Sequence, residues 1–307
     1  MIAARGRPHA VLIVNPNAGR LSERIREEVV HELRARFDLE AYATTARDTG
    51  INLAAQAAEN GARLVVAFGG DGHVNEVANG LAGTDSVLAV IPGGTMNVFA
   101  RALGLPLDPK DAIDALVASL EREPRSVPLG RMDGRYFTFS AGCGFDAEAA
   151  GRVERYVPAK RRFGELFFYW SAFRVLASSY KHRNPSMTLR GDFGEVEVAM
   201  AIACNAGPYA FFAGRPIVIA PQVRLEGGLD VFALKKMRIE ALPTYVGRVL
   251  GSEGMAGHPD AFYRHDLAAF EIVSADRPFY RHVDGEPLPP VHSAHFSIAR
   301  DILKVQV

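Results

Sequence analysis

The sequence predicts an α/β domain built on a parallel sheet, followed by a mainly β domain, and three observations predict it. Over roughly the first hundred residues, short apolar runs alternate with helical patterns, as in a parallel sheet flanked by helices. Beyond about Val127 this alternation gives way to strand-like runs separated by turn residues. The chain has 307 residues, long for one core and suited to two domains at roughly 100 to 200 residues each.

Ala10-Val14 reads as the first strand and leads into the loop Asn15-Arg20. Ser22 can cap a helix in which Ile25, Val29, Leu33 and Phe37 share one face at a spacing of four. A strand near Leu39-Ala43 follows, then a helix over Asn52-Asn60 that Gly61 ends. Leu64-Phe68 is continuously apolar, as a strand buried on both faces must be. Helices over His73-Leu81 and Val98-Leu103 are each entered from a glycine-rich loop, after the strands Leu64-Phe68 and Val87-Ile91. In open α/β sheets such strand-to-helix turns are where ligands bind.

The later turns are Met132-Asp133-Gly134-Arg135, Gly191-Asp192-Phe193-Gly194 and Glu226-Gly227-Gly228. A helical stretch over roughly Lys160-Ser178 interrupts this β region, and Ile302-Val307 reads as a last strand able to pack on either domain. The expected division is 1–127 for the α/β domain and 128–294 for the β domain, with 295–307 able to return to the first.

Lysine plus arginine equals aspartate plus glutamate at 35 each, so no global field draws the chain to nucleic acid or to an anionic membrane. The apolar runs stop well short of the roughly 20 residues a spanning helix needs, and the start does not read as a secretory leader. Cys143 and Cys204 sit in small-residue or apolar stretches, which suits a reducing compartment, and the expected location is the cytoplasm. The histidines lack companions at zinc-site spacing.

Four loops combine glycines, which let backbone N–H groups approach an anion, with fixed polar side chains. They are Asn15-Pro16-Asn17-Ala18-Gly19-Arg20, Gly69-Gly70-Asp71-Gly72-His73-Val74-Asn75-Glu76, Pro92-Gly93-Gly94-Thr95-Met96-Asn97 and Asp284-Gly285-Glu286. The first three follow strands of one sheet, and if that sheet is parallel they meet at its carboxyl edge. A bare carboxylate beside phosphate is unfavourable. Asp71 therefore makes most sense with a cation between it and the phosphate, or as the acceptor of a hydroxyl proton. The competing reading is a tight turn with Asp71 as a helix cap. Asn15-Pro16-Asn17 also reads as an ordinary turn with Arg20 a surface cation, and Thr95 and Asn97 as capping residues. Asp192-Phe193-Gly194 imitates a kinase metal triplet but lies between two strand-like runs, so a hairpin turn is expected. No Gly-x4-Gly-Lys-Ser/Thr loop occurs, which excludes the P-loop class.

Together these loops resemble the diacylglycerol kinase catalytic-domain family, which includes bacterial lipid kinases and the sphingosine kinases. The resemblance rests on Asn15-Pro16 with Gly19, Gly69-Gly70-Asp71-Gly72 with Asn75-Glu76, and Gly94-Thr95-x-Asn97 followed by Phe99-Ala100-Arg101. It continues in Gly142-x-Gly144-Phe145-Asp146, Glu226-Gly227-x-Leu229-Asp230 and Asp284-Gly285-Glu286. It implies a nucleotide-binding domain of the phosphofructokinase and NAD-kinase type, a β-sandwich second domain with a lipid-sized cleft between them, and the use of ATP and Mg2+. It implies that Asn15, Pro16, Asn17, Gly19, Arg20, Gly69, Gly70, Gly72, Asn75, Glu76, Gly93, Gly94, Thr95 and Asn97 hold nucleotide. Asp71, Asp284 and Glu286 become the catalytic carboxylates, Asp71 also as the ligand of a catalytic Mg2+. Glu226 and Asp230 stand where some members hold a structural Mg2+. Three positions depart from the family pattern: His73 in place of threonine or serine, Val98 in place of an acid, and Glu226 in place of aspartate.

The implied function is phosphorylation of a lipid hydroxyl, with diacylglycerol, a sphingoid base, phosphatidylglycerol and a polyprenol all open as acceptors. Two alternatives stand beside it, an NAD kinase-like enzyme for a soluble substrate and a catalytically silent nucleotide-binding protein. Lys160, Arg161 and Arg162 precede Phe163, Leu166, Phe167, Phe168, Tyr169 and Trp170. Cations beside aromatics suit a membrane interface, so 160–174 is a candidate for peripheral contact, against a helix that simply packs on the second domain. The oligomeric state is left open.

Overall fold

In a computed structural model of the chain, the residues described are 7–16, 18, 22–144, 147–148, 187–212, 215–237, 239–250 and 254–307. The helix expected over 160–178, the motif residues Phe145 and Asp146, and the site candidates Asn17, Gly19 and Arg20 lie outside them. Two compact units emerge, Met1–Pro128 with Arg300–Val307, and Leu129–Ala299.

The first unit runs β1 (His9–Val14), α1 (Glu23–Arg36), β2 (Asp38–Ala43), α2 (Thr49–Glu59), β3 (Leu64–Gly69), α3 (Asp71–Leu81), β4 (Val87–Pro92), α4 (Val98–Ala102) and α5 (Pro109–Ser119). Its strands lie in the order β2-β1-β3-β4, every pair parallel. The end of the last strand, β18 (Ser293–Val305), adds to β4 in parallel through Lys304 and Val305. Alternation along the strands sends Leu12, Val14, Val66, Phe68, Ala89 and Ile91 to one face, where Val29 and Leu33 of α1 and Ile113 and Leu116 of α5 cover them. Helices α2 and α3 pack on β1, β3 and β4. The result is a three-layer α/β unit.

The predicted face of α1 is the buried one, with Val29, Leu33 and Phe37 in the core, and Ser22 caps it by accepting the Ile25 N–H at 3.3 Å. Helix α2 begins at Thr49, three residues before the expected start, for a reason local sequence does not carry. Its N-cap, Asp48, gives no side-chain cap, and the carboxylate of Glu76 on α3 instead accepts the N–H groups of Asp48 at 2.9 Å and Gly50 at 2.8 Å. The two helices lie so close that a Cβ on Gly80 would fall 2.4 Å from the Ile51 carbonyl. Helix α5 was not anticipated, although Asp108 before Pro109 is a strong start: the Asp108 carboxylate accepts from Lys110 N at 2.9 Å.

The second unit is a β-sandwich. One sheet is β14 (Ala261–Leu267), β13 (Leu229–Leu234), β10 (Met200–Cys204), β7 (Ser140–Gly144), β16 (Phe279–Val283) and β17 (Glu286–Val291), in that order and antiparallel throughout. The other places the start of β18 beside β15 (Ala269–Val273), β8 (Met187–Gly191) and β9 (Gly194–Val198), with the hairpin of β5 (Arg125–Met132) and β6 (Arg135–Phe137) on the far side of β18. Phe137, Ala141, Leu189, Val231, Ile272 and Phe296 fill the space between the sheets. Asp192-Phe193 is the two-residue turn between β8 and β9, as expected. The edge strand β17 contains Pro287, Pro289 and Pro290, which cannot donate to a further strand.

The outer face of β10 and β13 carries a second apolar cluster. It is covered by Ile217 of the short hairpin β11 (Ala210–Phe212) and β12 (Arg215–Ile217), and by Tyr245 of α6 (Leu242–Leu250). Cys143 and Cys204 are buried and not joined in a disulfide, and among the described residues no helix is long and apolar enough to cross a membrane.

Candidate functional site

In the first unit, the starts of three of the four predicted loops lie side by side at the carboxyl edge of the parallel sheet because their parent strands are neighbours. Backbone bonds join them in sequence: Asn15 N–H donates to the Phe68 carbonyl at 3.1 Å, and Gly93 N–H to the Gly69 carbonyl at 2.8 Å. Gly70 and Gly94 touch directly. A Cβ on Gly94 would stand 2.6 Å from the Gly70 Cα, so these glycines permit the approach of two backbones.

Asn97 shapes the third loop from inside. It adopts φ +49°, its Oδ1 accepts the Gly94 N–H at 2.9 Å, and its Nδ2 donates to the Gly94 carbonyl at 2.9 Å. Thr95 is exposed at the loop's tip, and Arg101 folds back to donate through Nε to the Met96 carbonyl at 2.9 Å.

Asp71 is the first residue of α3, yet its carboxylate serves another helix. Oδ1 accepts the N–H of Phe99, in the first turn of α4, at 3.3 Å. That bond fixes the carboxylate at the junction of the second and third loops. Gly70 brings no side chain to cap α3, so the N–H groups of its first turn form a ready anion site.

His73 stands just below. Its ring packs against Gly69, where a Cβ would lie 2.6 Å from Cδ2, and Nε2 lies 2.9 Å from the Ile13 carbonyl at the end of β1. Burial pushes the imidazole's pKa down, so the ring is neutral near pH 7 and donates through Nε2–H. The two remaining nucleotide candidates on α3 are engaged within the fold. Glu76 caps α2, and Asn75 accepts from Asn79 Nδ2 through Oδ1 at 3.1 Å and through its carbonyl at 2.9 Å.

In the second unit, Asp284 closes the β16–β17 hairpin at φ +47°, followed by Gly285 at +81°. Its Oδ2 accepts from the Thr138 N–H and hydroxyl, both at 2.7 Å, and Oδ1 from the Phe139 and Ser140 N–H groups at 3.0 Å. Asn205 supports the same segment, donating from Nδ2 to the Thr138 carbonyl at 3.0 Å. Burial raises the pKa of Asp284, and the donors of Ser140, Thr138 and Phe139 act in the opposite sense. A carboxylate held by four donors fixes the turn. Glu286, two residues on, is about a fifth exposed and lies 3.6 Å from the Arg135 guanidinium.

Thr138 and Asn205 were not singled out in the sequence, since their place beside Asp284 depends on pairing between distant strands, and Arg135 was read only as part of a turn. Asp230 is fully buried on β13 and Glu226 is exposed in the preceding turn. Among the described residues, no group of three or more His, Cys, Asp or Glu is arranged to hold a metal ion. A single carboxylate such as Asp71 still fits Mg2+, which is commonly bound by one or two carboxylates together with substrate phosphates.

Comparison with known proteins gives the arrangement a context. The profile of the diacylglycerol kinase catalytic domain matches residues 9–132. A diacylglycerol kinase of Bacillus subtilis is 35% identical over 235 residues, 75% of each chain. A probable lipid kinase, YegS-like, of Chromohalobacter salexigens is 37% identical over 71% of this chain and 68% of its own. Among solved structures, a diacylglycerol kinase of Bacillus anthracis superposes with a TM-score of 0.73 at 25% identity, covering 97% of this chain and 96% of that one. Yeast NADH kinase complexed with NADH shares the fold at a TM-score of 0.51 and 11% identity, over 98% and 84% of the two chains.

Proposed function

For a chain that belongs to the diacylglycerol kinase catalytic-domain family, and is therefore a kinase, we propose transfer of the γ-phosphoryl group of ATP to a lipid hydroxyl, with Mg2+ as cofactor. The observation that carries this reading is the joined loop edge of the first unit, where Gly69–Gly72 and Gly93–Asn97 surround Asp71. Diacylglycerol is the first acceptor to try, since relatives bear that name. A sphingoid base, phosphatidylglycerol and a polyprenol follow.

N–H groups of the glycine loops and of the first turn of α3 hold the nucleotide phosphates, where charge develops in a loose transition state. A bound Mg2+ held by Asp71 would supply positive charge that offsets the phosphate oxygens. The acceptor oxygen forms its bond to the γ-phosphorus as the bond to the β–γ bridging oxygen breaks, ADP leaves, and the hydroxyl proton passes to a carboxylate. Of the three carboxylates considered, Asp284 is the positioning group, holding the turn that carries Glu286. Asp71 serves the nucleotide side, and Glu286 is assigned the hydroxyl proton.

Steady-state kinetics test this division. Glu286→Gln lowers kcat by about 10²-fold or more with KM for ATP little changed. Asp71→Asn lowers kcat and weakens ATP use together. Wild-type turnover in Asp71→Asn sinks the reading of the loop edge; wild-type turnover in Glu286→Gln removes Glu286 as proton acceptor.

A further inference from the structure

A second set of titratable groups lies away from both acid sites, around Asp230. The register of β13 against β14 pairs Leu229 with Leu267 and Val231 with Arg264, so His265 and Asp266 together face the single residue Asp230. This is a β-bulge, and its extra residue turns donors toward the carboxylate. Oδ1 accepts the Asp266 N–H at 3.1 Å and lies 2.9 Å from His265 Nδ1, while Oδ2 accepts the Tyr263 hydroxyl.

The same groups reach the preceding loop. The Tyr263 oxygen accepts the Gln222 N–H at 3.1 Å, and Asp266 Oδ1 accepts the Gly228 N–H at 2.6 Å. Residues 222–228 are thereby tied at both ends to β14.

The family resemblance implies a structural Mg2+ held by the segment Glu226 to Asp230, and the residues present do not fit one. Asp230 is fully buried, with both oxygens engaged by protein donors, and Glu226 is exposed. Two of the donors are a phenol and an imidazole N–H, which a cation would have to displace. We infer that Asp230, Tyr263, His265 and the Asp266 backbone form a cation-independent latch that fastens the 222–228 loop to the sandwich in place of a structural metal.

Thermal unfolding of the full chain without nucleotide tests this, in excess chelator and in millimolar MgCl2 or CaCl2. The wild-type Tm is expected to agree within about 1 °C among these conditions, and Tyr263→Phe to lower it by about 3 °C or more in all of them. Two results overturn the inference. One is a cation-dependent rise of about 3 °C or more in the wild type that disappears in both Glu226→Gln and Asp230→Asn. The other is a Tyr263→Phe protein as stable as wild type. A rise that persists in both acid variants arises at another site, and the Tyr263→Phe comparison in chelator then decides for or against the latch. If Asp230→Asn does not fold, Glu226→Gln decides the cation arm.

Discussion

Asp71 accepts the Phe99 N–H through one oxygen, so its carboxylate is oriented by the fold before any ligand arrives. Asparagine offers an oxygen to the same donor, so Asp71→Asn is expected to unfold within about 0.5 kcal/mol of wild type in urea while turnover collapses. That contrast separates a chemical role from a structural one. Glu76 presents the reverse case: Glu76→Ala leaves the N–H groups of Asp48 and Gly50 without their carboxylate and should cost about 1–3 kcal/mol. His73 adds a pH dependence. Its folded pKa lies below the unfolded value, so the folded state binds fewer protons and stability is lost as pH falls through about 6.5 and below. A urea series from pH 7.5 to 5 should show wild type losing more stability than His73→Gln, with a slope contribution of at most about 1.4 kcal/mol per pH unit. At this scale the flanking glycines mark Asp71 as a candidate. The partners of Glu76 and Asp284 stayed hidden because they are backbone groups, and one threonine hydroxyl, of segments remote in the chain.

At the scale of elements, the glycine loops act as one unit because strand order makes neighbours of β1, β3 and β4. Gly94→Ala drives a Cβ into the Gly70 backbone and should lower kcat/KM for ATP about tenfold or more, with KM for the lipid less affected. Equal losses for both substrates would show that the contact between loops does not shape the nucleotide site. The β strands and the buried face of α1 were legible, since continuous apolar runs and a spacing of four are direct consequences of burial. Helix α5 is equally legible from Asp108-Pro109, whose carboxylate and ring start it. The true start of α2 was not, because its cap belongs to α3.

For the whole molecule, the last strand shows how chain order and unit membership diverge. β18 pairs with β15 through residues 293–297 and with β4 through Lys304 and Val305, so the final residues complete the sheet of the first unit. Ile302-Val307 is apolar enough for either destination, and only the pairing decides. The net charge of zero leaves membrane attraction to local features, and the basic and aromatic stretch 160–174 is the candidate. Replacing Lys160, Arg161 and Arg162 with glutamate should reduce sedimentation with anionic vesicles while ATP affinity is unchanged; undiminished sedimentation would assign the attraction elsewhere. The central claim is lipid phosphorylation, and it is tested most directly by incubating the protein with γ-labelled ATP, Mg2+, a panel of lipid acceptors and NAD, then extracting the products. Label in an organic-phase phospholipid, absent with Asp71→Asn, is the result expected. Label in NADP with none in any lipid would contradict it.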